Sequence, residues 1–220
     1  MARWTRAGAM TVFMAGVFDI PTPNHRFGLA EARLMGGALR RGIDYTSLTP
    51  DSPPELIEGV REEAASNSVK LLVSVDTDEN VAQSKAFRPE KGNSPKPIFG
   101  WSTRAYNLAS YTVPQKSGAT HHNTVDYVTR HGINACQAHE ECNSRDNALM
   151  VVNLQPKLVV INAASQNTVE TVFDLKDRGL LPNTDIGLTN EYVHQYIDPL
   201  IGDRVSSTSI IRRAKGETTF

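Results

Sequence analysis

The stretch TVFMAGVFDIPTPNHRFGL, from Thr11 to Leu29, decides the fold of this chain. Its apolar first half, which contains β-branched residues, is typical of a buried strand. The prolines and the asparagine between Ile20 and Asn24 end that strand, and apolar residues then recur at helical spacing from His25 onward. A strand, a short turn and a helix form a unit that presents backbone N–H groups to a phosphate. The spacing alone leaves two interpretations open: an anion site beside His25, or an ordinary strand–helix unit with a surface histidine.

The composition is typical of a globular protein with one sizeable core. Of the 220 residues, 40% are hydrophobic and 21% are charged. A net charge of -1 gives no broad basic field, so a duplex nucleic-acid partner is not expected. No apolar run approaches the roughly 20 residues that cross a bilayer, so a membrane partner is not expected either. Two cysteines are too few for a disulfide framework and fit a reducing compartment, which predicts a cytoplasmic protein.

Apolar runs alternate with helical patterns along the chain. Besides the strand in the opening stretch, buried strands are expected at 69–75 and 157–163, a weak one at 44–49 and a short one at 185–188. Helices are expected over about 25–41, 55–65, 80–86, 101–109 and 168–180. This alternation predicts an α/β fold with a Rossmann-like, mostly parallel sheet and helices on both faces. The polar stretch at about 111–147 lacks sustained periodicity, so we expect it to be an insertion in a single domain that spans residues 1–220.

Groups that suit an anionic ligand are predicted to gather at the carboxyl ends of the strands, where open α/β sheets bind ligands. The turn before His25 is one of them. Lys85 follows the second buried strand, and Arg104 lies in the first turn of a predicted helix. A basic residue there opposes the helix dipole, which indicates a role other than helix stability. The tail adds hydroxyls at a predicted helix start, followed by an arginine that can grip phosphate oxygens: Ser206, Ser207, Thr208 and Arg212.

Three segments resemble the nucleotidyltransferase superfamily. GVFDIPTPNH, from Gly16 to His25, resembles its G-x-F-D strand end followed by H-x-G-H or T-x-G-H, with Thr22 and His25 at the outer motif positions. VSSTSIIR, from Val205 to Arg212, resembles its second signature, I-S-S/T-T-x-I-R. VSVDTDENVAQSKAFRP, which begins at Val73, is similar to the cytidylyltransferase-like branch, and to its heptose-phosphate adenylyltransferases in particular. The resemblance covers roughly 10–35, 69–110 and 150–215.

The resemblance implies a transferase that moves a nucleoside monophosphate from ATP or CTP to a phosphorylated small molecule, such as a sugar or polyol phosphate, and releases pyrophosphate. Catalysis of this kind is positioning plus charge stabilisation. It implies that His25 hydrogen-bonds the α-phosphate in the transition state and that Thr22 contacts the phosphates. Mg²⁺ is expected on the triphosphate, coordinated mostly by water, so no metal ligands are expected from the protein. A homo-oligomer is also expected.

The remaining site residues follow from the same resemblance. Lys85 and Arg104 would neutralise acceptor or triphosphate charge, and Asp19 would orient the turn. The implied nucleotide and phosphate contacts are Gly16, Val17, Phe18, Asn24, Ser206, Ser207, Thr208 and Arg212.

Two departures from the family pattern leave alternatives open. Asn24 stands where the family has glycine, and 162–166 lacks the Gly-Asp type of sequence that is common there. Within the class, the alternative is a glycerol-phosphate-type cytidylyltransferase or a vitamin-phosphate adenylyltransferase. Outside it, the alternative is a non-catalytic nucleotide-binding homologue. Cys136, His139 and Cys142 are of types that bind zinc, but their spacing matches no strong zinc motif, and a plain polar loop is the favoured interpretation.

Overall fold

The computed structural model describes residues 8–20, 22–49, 51–86, 97–113, 122–131, 149–163, 165–189, 197–198 and 203–204. The strands in chain order are β1 Met10–Gly16, β2 Val69–Asp76, β3 Thr112–Val113, β4 His122–Asn123, β5 Tyr127–His131, β6 Leu158–Asn162, β7 Asp185–Thr189, β8 Ile197–Asp198 and β9 Asp203–Arg204. The helices are α1 Pro23–Arg40, α2 Pro54–Ala65, α3 Asp78–Ala86, α4 Trp101–Ala109 and α5 Gln166–Asp177. A 3-10 helix spans Tyr45–Ser47, and 149–154 is also helical.

Five strands form one parallel sheet in the order β5-β2-β1-β6-β7. Counted along the chain, these strands have the order 3-2-1-4-5, which is that of a doubly wound α/β fold. The prediction of a Rossmann-like α/β fold is therefore confirmed. β3 with β4 and β8 with β9 form two small antiparallel pairs outside this sheet.

The alternating side chains of β1 build two cores, one on each face of the sheet. Val12 is buried with residues of α1 and α4, including Leu29 and Leu108. Phe13, the next residue, is buried on the opposite face with residues of α5, including Val172. Successive strand residues point to opposite faces, so a strand that is apolar at both positions needs a layer of helices on each side.

Two sequence expectations differ from the structure. The weak strand expected at 44–49 is wrong: Tyr45–Ser47 is a 3-10 helix, because the Asp44 carboxylate accepts a hydrogen bond from the Thr46 N–H and starts a turn. Within the insertion expected at 111–147, Tyr127–His131 forms β5, which pairs in parallel with β2. Those five residues belong to the main sheet rather than to an insertion.

No helix among the described residues is long and apolar enough to cross a membrane.

Candidate functional site

The strand order places the candidate site at the carboxyl end of β1. β2 lies next to β1 toward one edge of the sheet, and β6 lies next to β1 toward the other edge. Ligands of open α/β sheets bind at the point where the strand order reverses in this way. β1 ends at Gly16, and residues 17–22 lead from there into α1. Gly16, Val75 and Arg130 are register partners across three adjacent strands, so the segments that follow these strands meet at one edge.

Thr22 and His25 form a capping box at the start of α1. Thr22 is the N-cap residue, and its hydroxyl accepts a hydrogen bond from the His25 N–H at 3.4 Å. In return, Nδ1 of His25 accepts from the Thr22 N–H at 3.2 Å. Such a box usually has glutamate or glutamine at the third helical position, and a histidine replaces it here. Thr22 is only 3% exposed, so its predicted direct contact with phosphates does not fit this placement. Its hydroxyl holds His25 instead.

Burial favours the neutral form of the His25 imidazole. Burial lowers its pKa from the ordinary value of 6.5, and a hydrogen bond with the Ile20 backbone acts in the opposite direction. Because Nδ1 is the acceptor in the capping box, the hydrogen-bond network assigns the single proton of the neutral ring to Nε2. A neutral N–H donor can stabilise negative charge that develops on a phosphate oxygen. A neutral ring has one N–H and the Ile20 backbone already accepts a hydrogen bond from it, so donation to a phosphate would have to replace that bond.

Phe18 occupies the space beside Gly16. The φ angle of Phe18 is +50°, in the left-handed region, and its side chain is buried. A Cβ atom on Gly16 would lie 2.9 Å from Cε2 of the Phe18 ring. The same ring lies 5.3 Å from the imidazole of His25, between ring centroids. The ring of Phe18 thus fills the space that a side chain at residue 16 would need.

Asp19 orients the turn, as the sequence analysis expected. It is buried, and Oδ1 accepts hydrogen bonds from the N–H groups of Ile98 at 2.9 Å and Phe99 at 3.0 Å. These two residues precede α4, so the carboxylate fastens the segment before α4 to the turn after β1.

Arg104 lies inside the protein rather than at its surface. Its side chain has no exposed area, and its guanidinium donates to the Phe99, Val17 and Asp76 carbonyls at 3.0, 2.6 and 2.7 Å. It also forms an ion pair with Asp78 at 2.7 Å. The predicted role of Arg104, direct neutralisation of ligand charge, does not fit this placement. The unfavourable position in the first turn of α4 is offset by Asp78, whose second oxygen accepts from the Trp101 N–H at the helix start.

Several predicted site residues lie outside the description. Asn24 lies in α1 and Lys85 lies in α3, but their side chains are outside the described part of the structure. The predicted phosphate cradle of the tail is outside the described residues: Ser206, Ser207, Thr208 and Arg212. So are the candidate zinc ligands Cys136, His139 and Cys142.

Sequence reasoning missed two residues of this edge. Asp78 lies two residues after the end of β2 and forms an ion pair with Arg104. The acidic residues within 76–79 were the sequence signal that could have suggested a partner for a buried arginine. Arg130 is exposed in β5, and its guanidinium carbon lies 4.6 Å from the centroid of the Trp101 ring. No local pattern predicts that contact, because it depends on β5 joining the sheet beside β2.

Within the described ranges, no group of three or more His, Cys, Asp or Glu side chains is arranged to hold a metal ion. The carboxylates of Asp19, Asp76 and Asp78 each accept at least one hydrogen bond from the protein itself. No protein-family model matches the chain, and no curated protein is significantly similar to it.

Proposed function

We propose that this protein is a nucleotidyltransferase that moves a nucleoside monophosphate from ATP or CTP to a phosphorylated small molecule and releases pyrophosphate. One observation carries the proposal: a histidine in a capping box stands at the first helix start of a doubly wound sheet, beside the switch point of the strand order. Residue resemblance at both ends of the chain supports the same activity. Sugar and polyol phosphates are the acceptors we favour, and the cytoplasm the location.

In this proposal the acceptor phosphate oxygen attacks the α-phosphorus of the nucleotide in line with the departing group. A new P–O bond forms, the bond from the α-phosphorus to the bridging oxygen breaks, and pyrophosphate leaves with that oxygen. His25 donates a hydrogen bond to the α-phosphate as charge builds up. Ser207, Thr208 and Arg212 would hold the β- and γ-phosphates, and Lys85 would meet the acceptor.

Thr22 and Arg104 have changed roles in this proposal. Both are buried and hydrogen-bonded within the chain, so they place other groups and leave the phosphates to His25 and the predicted cradle of the tail. Mg²⁺ would arrive on the triphosphate, with phosphate and water oxygens as its ligands.

A second candidate is a non-catalytic nucleotide-binding protein with the same fold. The observation that favours it is the burial of Thr22 and Arg104, two of the four side chains to which the resemblance gives catalytic roles. A glycerol-phosphate-type cytidylyltransferase or a vitamin-phosphate adenylyltransferase remains the alternative within the enzyme class.

The test is release of pyrophosphate from each of the four nucleoside triphosphates, measured with a panel of phosphorylated acceptors and Mg²⁺. We expect turnover with ATP or CTP and one class of acceptor. Nucleotide binding without turnover, measured by calorimetry, would support the non-catalytic candidate. Absence of both would refute the two candidates together.

Two substitutions separate catalysis by His25 from helix capping. His25→Gln keeps an acceptor for the Thr22 N–H, since glutamine is a normal capping-box residue, but it removes the imidazole. We expect kcat to fall about a hundredfold or more in His25→Gln, the usual loss when a transition-state donor is removed. Asp44→Ala is the control: it removes a cap from the 3-10 helix outside the site and should leave kcat unchanged. Near-normal kcat in His25→Gln would show that His25 only caps α1.

A further inference from the structure

Arg104 is joined to the turn after β1 on both sides of Phe18, directly at Val17 and through Phe99 at Asp19. We propose that Arg104, paired with Asp78, is a positioning residue that clamps the turn after β1 and so fixes Phe18 and, through it, His25. Only the effect of this clamp on turnover rests on the proposed function, because the position of His25 can be observed directly.

The positive charge of Arg104 is balanced inside the clamp by Asp78. Arg104 is the largest fully buried side chain among the described residues. A buried guanidinium is stable only when it is paired and its N–H groups are hydrogen-bonded. Asp78 supplies the ionic partner at 2.7 Å, and backbone carbonyls receive the other N–H groups. Loss of the Asp78 charge would leave Arg104 as a buried cation without its ion-pair partner.

The backbone of Phe18 is strained. A phenylalanine in the left-handed region is uncommon and persists only where the surroundings hold it. Its two neighbours are both tied: the Val17 carbonyl accepts from Arg104, and the Asp19 carboxylate accepts from the N–H of Phe99.

Those bonds form a closed ring. The Phe99 carbonyl accepts from Nε of Arg104, so the chain of contacts runs from Arg104 to Val17, along the backbone through Phe18 to Asp19, across to Phe99 and back. The conformation of the turn is therefore determined by contacts that lie 79 to 87 residues apart in the sequence.

The ring of Phe18 contacts the ring of His25. The rings of Phe18 and His25 lie 5.3 Å apart between centroids, with their planes tilted by 56°. Phe18 also belongs to the core on the α1 face of the sheet. If the clamp opens, Phe18 can leave the left-handed region, and the imidazole of His25 loses one of its covering groups.

The clamp requires arginine for a geometric reason. Arg104 reaches carbonyls of three separate segments and a carboxylate at the same time, which a planar fork of N–H groups permits. A lysine has a single ammonium at the end of a flexible stem, so Arg104→Lys should keep the charge and lose the clamp.

The experiment observes the His25 ring by NMR in the full-length protein, with His25→Gln used to assign its signal. Arg104→Lys and Asp78→Asn are compared with wild type for the chemical shift of the His25 ring proton, its pH titration and, separately, kcat and KM. We expect both variants to move the ring-proton signal, because the Phe18 ring current changes, and to raise the His25 pKa toward its ordinary value as burial decreases. We also expect kcat to fall on the order of tenfold or more, with a smaller change in KM.

Asp126→Asn is the matched control. Arg33 is a second buried arginine with a carboxylate partner, Asp126, also at 2.7 Å, and it donates to the Val69 carbonyl at the amino end of β2. Asp126 also forms an ion pair with Lys70 at 3.1 Å. This variant should lose stability without moving the His25 signal.

If both clamp variants fold and leave the His25 shift and titration at their wild-type values, Arg104 has only a structural role and the proposal is overturned. Equal movement in Asp126→Asn would overturn it as well, because general destabilisation would then explain the effect. If Arg104→Lys does not fold, Asp78→Asn decides by the same criteria, since Asp78 is partly exposed. A moved His25 signal in a protein without turnover would support the clamp and refute the proposed enzyme.

Discussion

Substitution of Gly16 by alanine should destabilise the protein, although alanine is normally the better residue in a strand. The added Cβ would lie 2.9 Å from Cε2, 3.2 Å from Cζ and 3.4 Å from Cδ2 of the Phe18 ring. Carbon atoms in contact prefer about 3.5–4.0 Å, so the ring has to move by roughly half an ångström or more. Phe18 is buried and already strained, which leaves it little room to do so.

The expected cost is the difference of two terms. Overpacking of a filled site typically costs about 1–3 kcal/mol. Replacement of glycine by alanine inside a strand returns about 0.5–1 kcal/mol of backbone entropy. We therefore expect the free energy of unfolding to fall in Gly16→Ala by about 1 kcal/mol and by no more than about 2.5 kcal/mol, measured by urea denaturation with the m-value unchanged.

Two further variants test the cause. Gly28→Ala is the control, because a Cβ there would meet only the Met14 methyl at 3.7 Å, an ordinary contact, and should stabilise α1 by up to about 1 kcal/mol. In a Phe18→Leu background the cost of Gly16→Ala should shrink, since the ring edge is gone. A Gly16→Ala protein at least as stable as wild type, or a cost that persists with leucine at 18, would refute the reasoning.

Three other predictions follow from single contacts. The pKa of His25 is lowered in the folded state, so the unfolded chain binds the His25 proton first as the pH falls below about 6.5. Below this pH the wild-type protein should lose stability through His25, and His25→Gln should not show this loss. Thermal melts across this pH range measure the difference. Burial, the charge of Glu31 and the hydrogen bond with Glu31 raise the pKa of Tyr45 to about 12, and burial also raises the pKa of Tyr111. In Tyr45→Phe the late part of the tyrosine titration, followed by ultraviolet absorbance, should therefore lose the amplitude of one tyrosine. In Gly37→Ala the new Cβ would lie 2.7 Å from the Val60 carbonyl oxygen of α2. Overpacking of about 1–3 kcal/mol, less the roughly 1 kcal/mol by which alanine is better than glycine in a helix, should lower the free energy of unfolding by up to about 2 kcal/mol; a gain in stability would mean that α1 and α2 can separate easily.

The sequence was sufficient for the elements whose signal is local. β1, β2 and β6 are short, continuous apolar runs that end at polar or turn residues, and the helices between them show the expected periodicity. Thr22 and His25 were also placed together correctly, because a turn of a few residues fixes their distance. β5 was missed for the opposite reason: its residues 127–130 are exposed or only half-buried, and an edge strand of this kind has no continuous apolar run.

What the sequence determined by itself is a parallel α/β fold with His25 at the helix start after β1. Only the tertiary structure decided that β5 joins β2, that Phe18 fills the space at Gly16, and that Arg104 faces inward. The physical reason is the same in each case. These contacts join residues that are far apart in the chain or whose packing depends on such partners, and the guanidinium of Arg104 becomes stable in the interior only where Val17, Asp76, Asp78 and Phe99 converge on it.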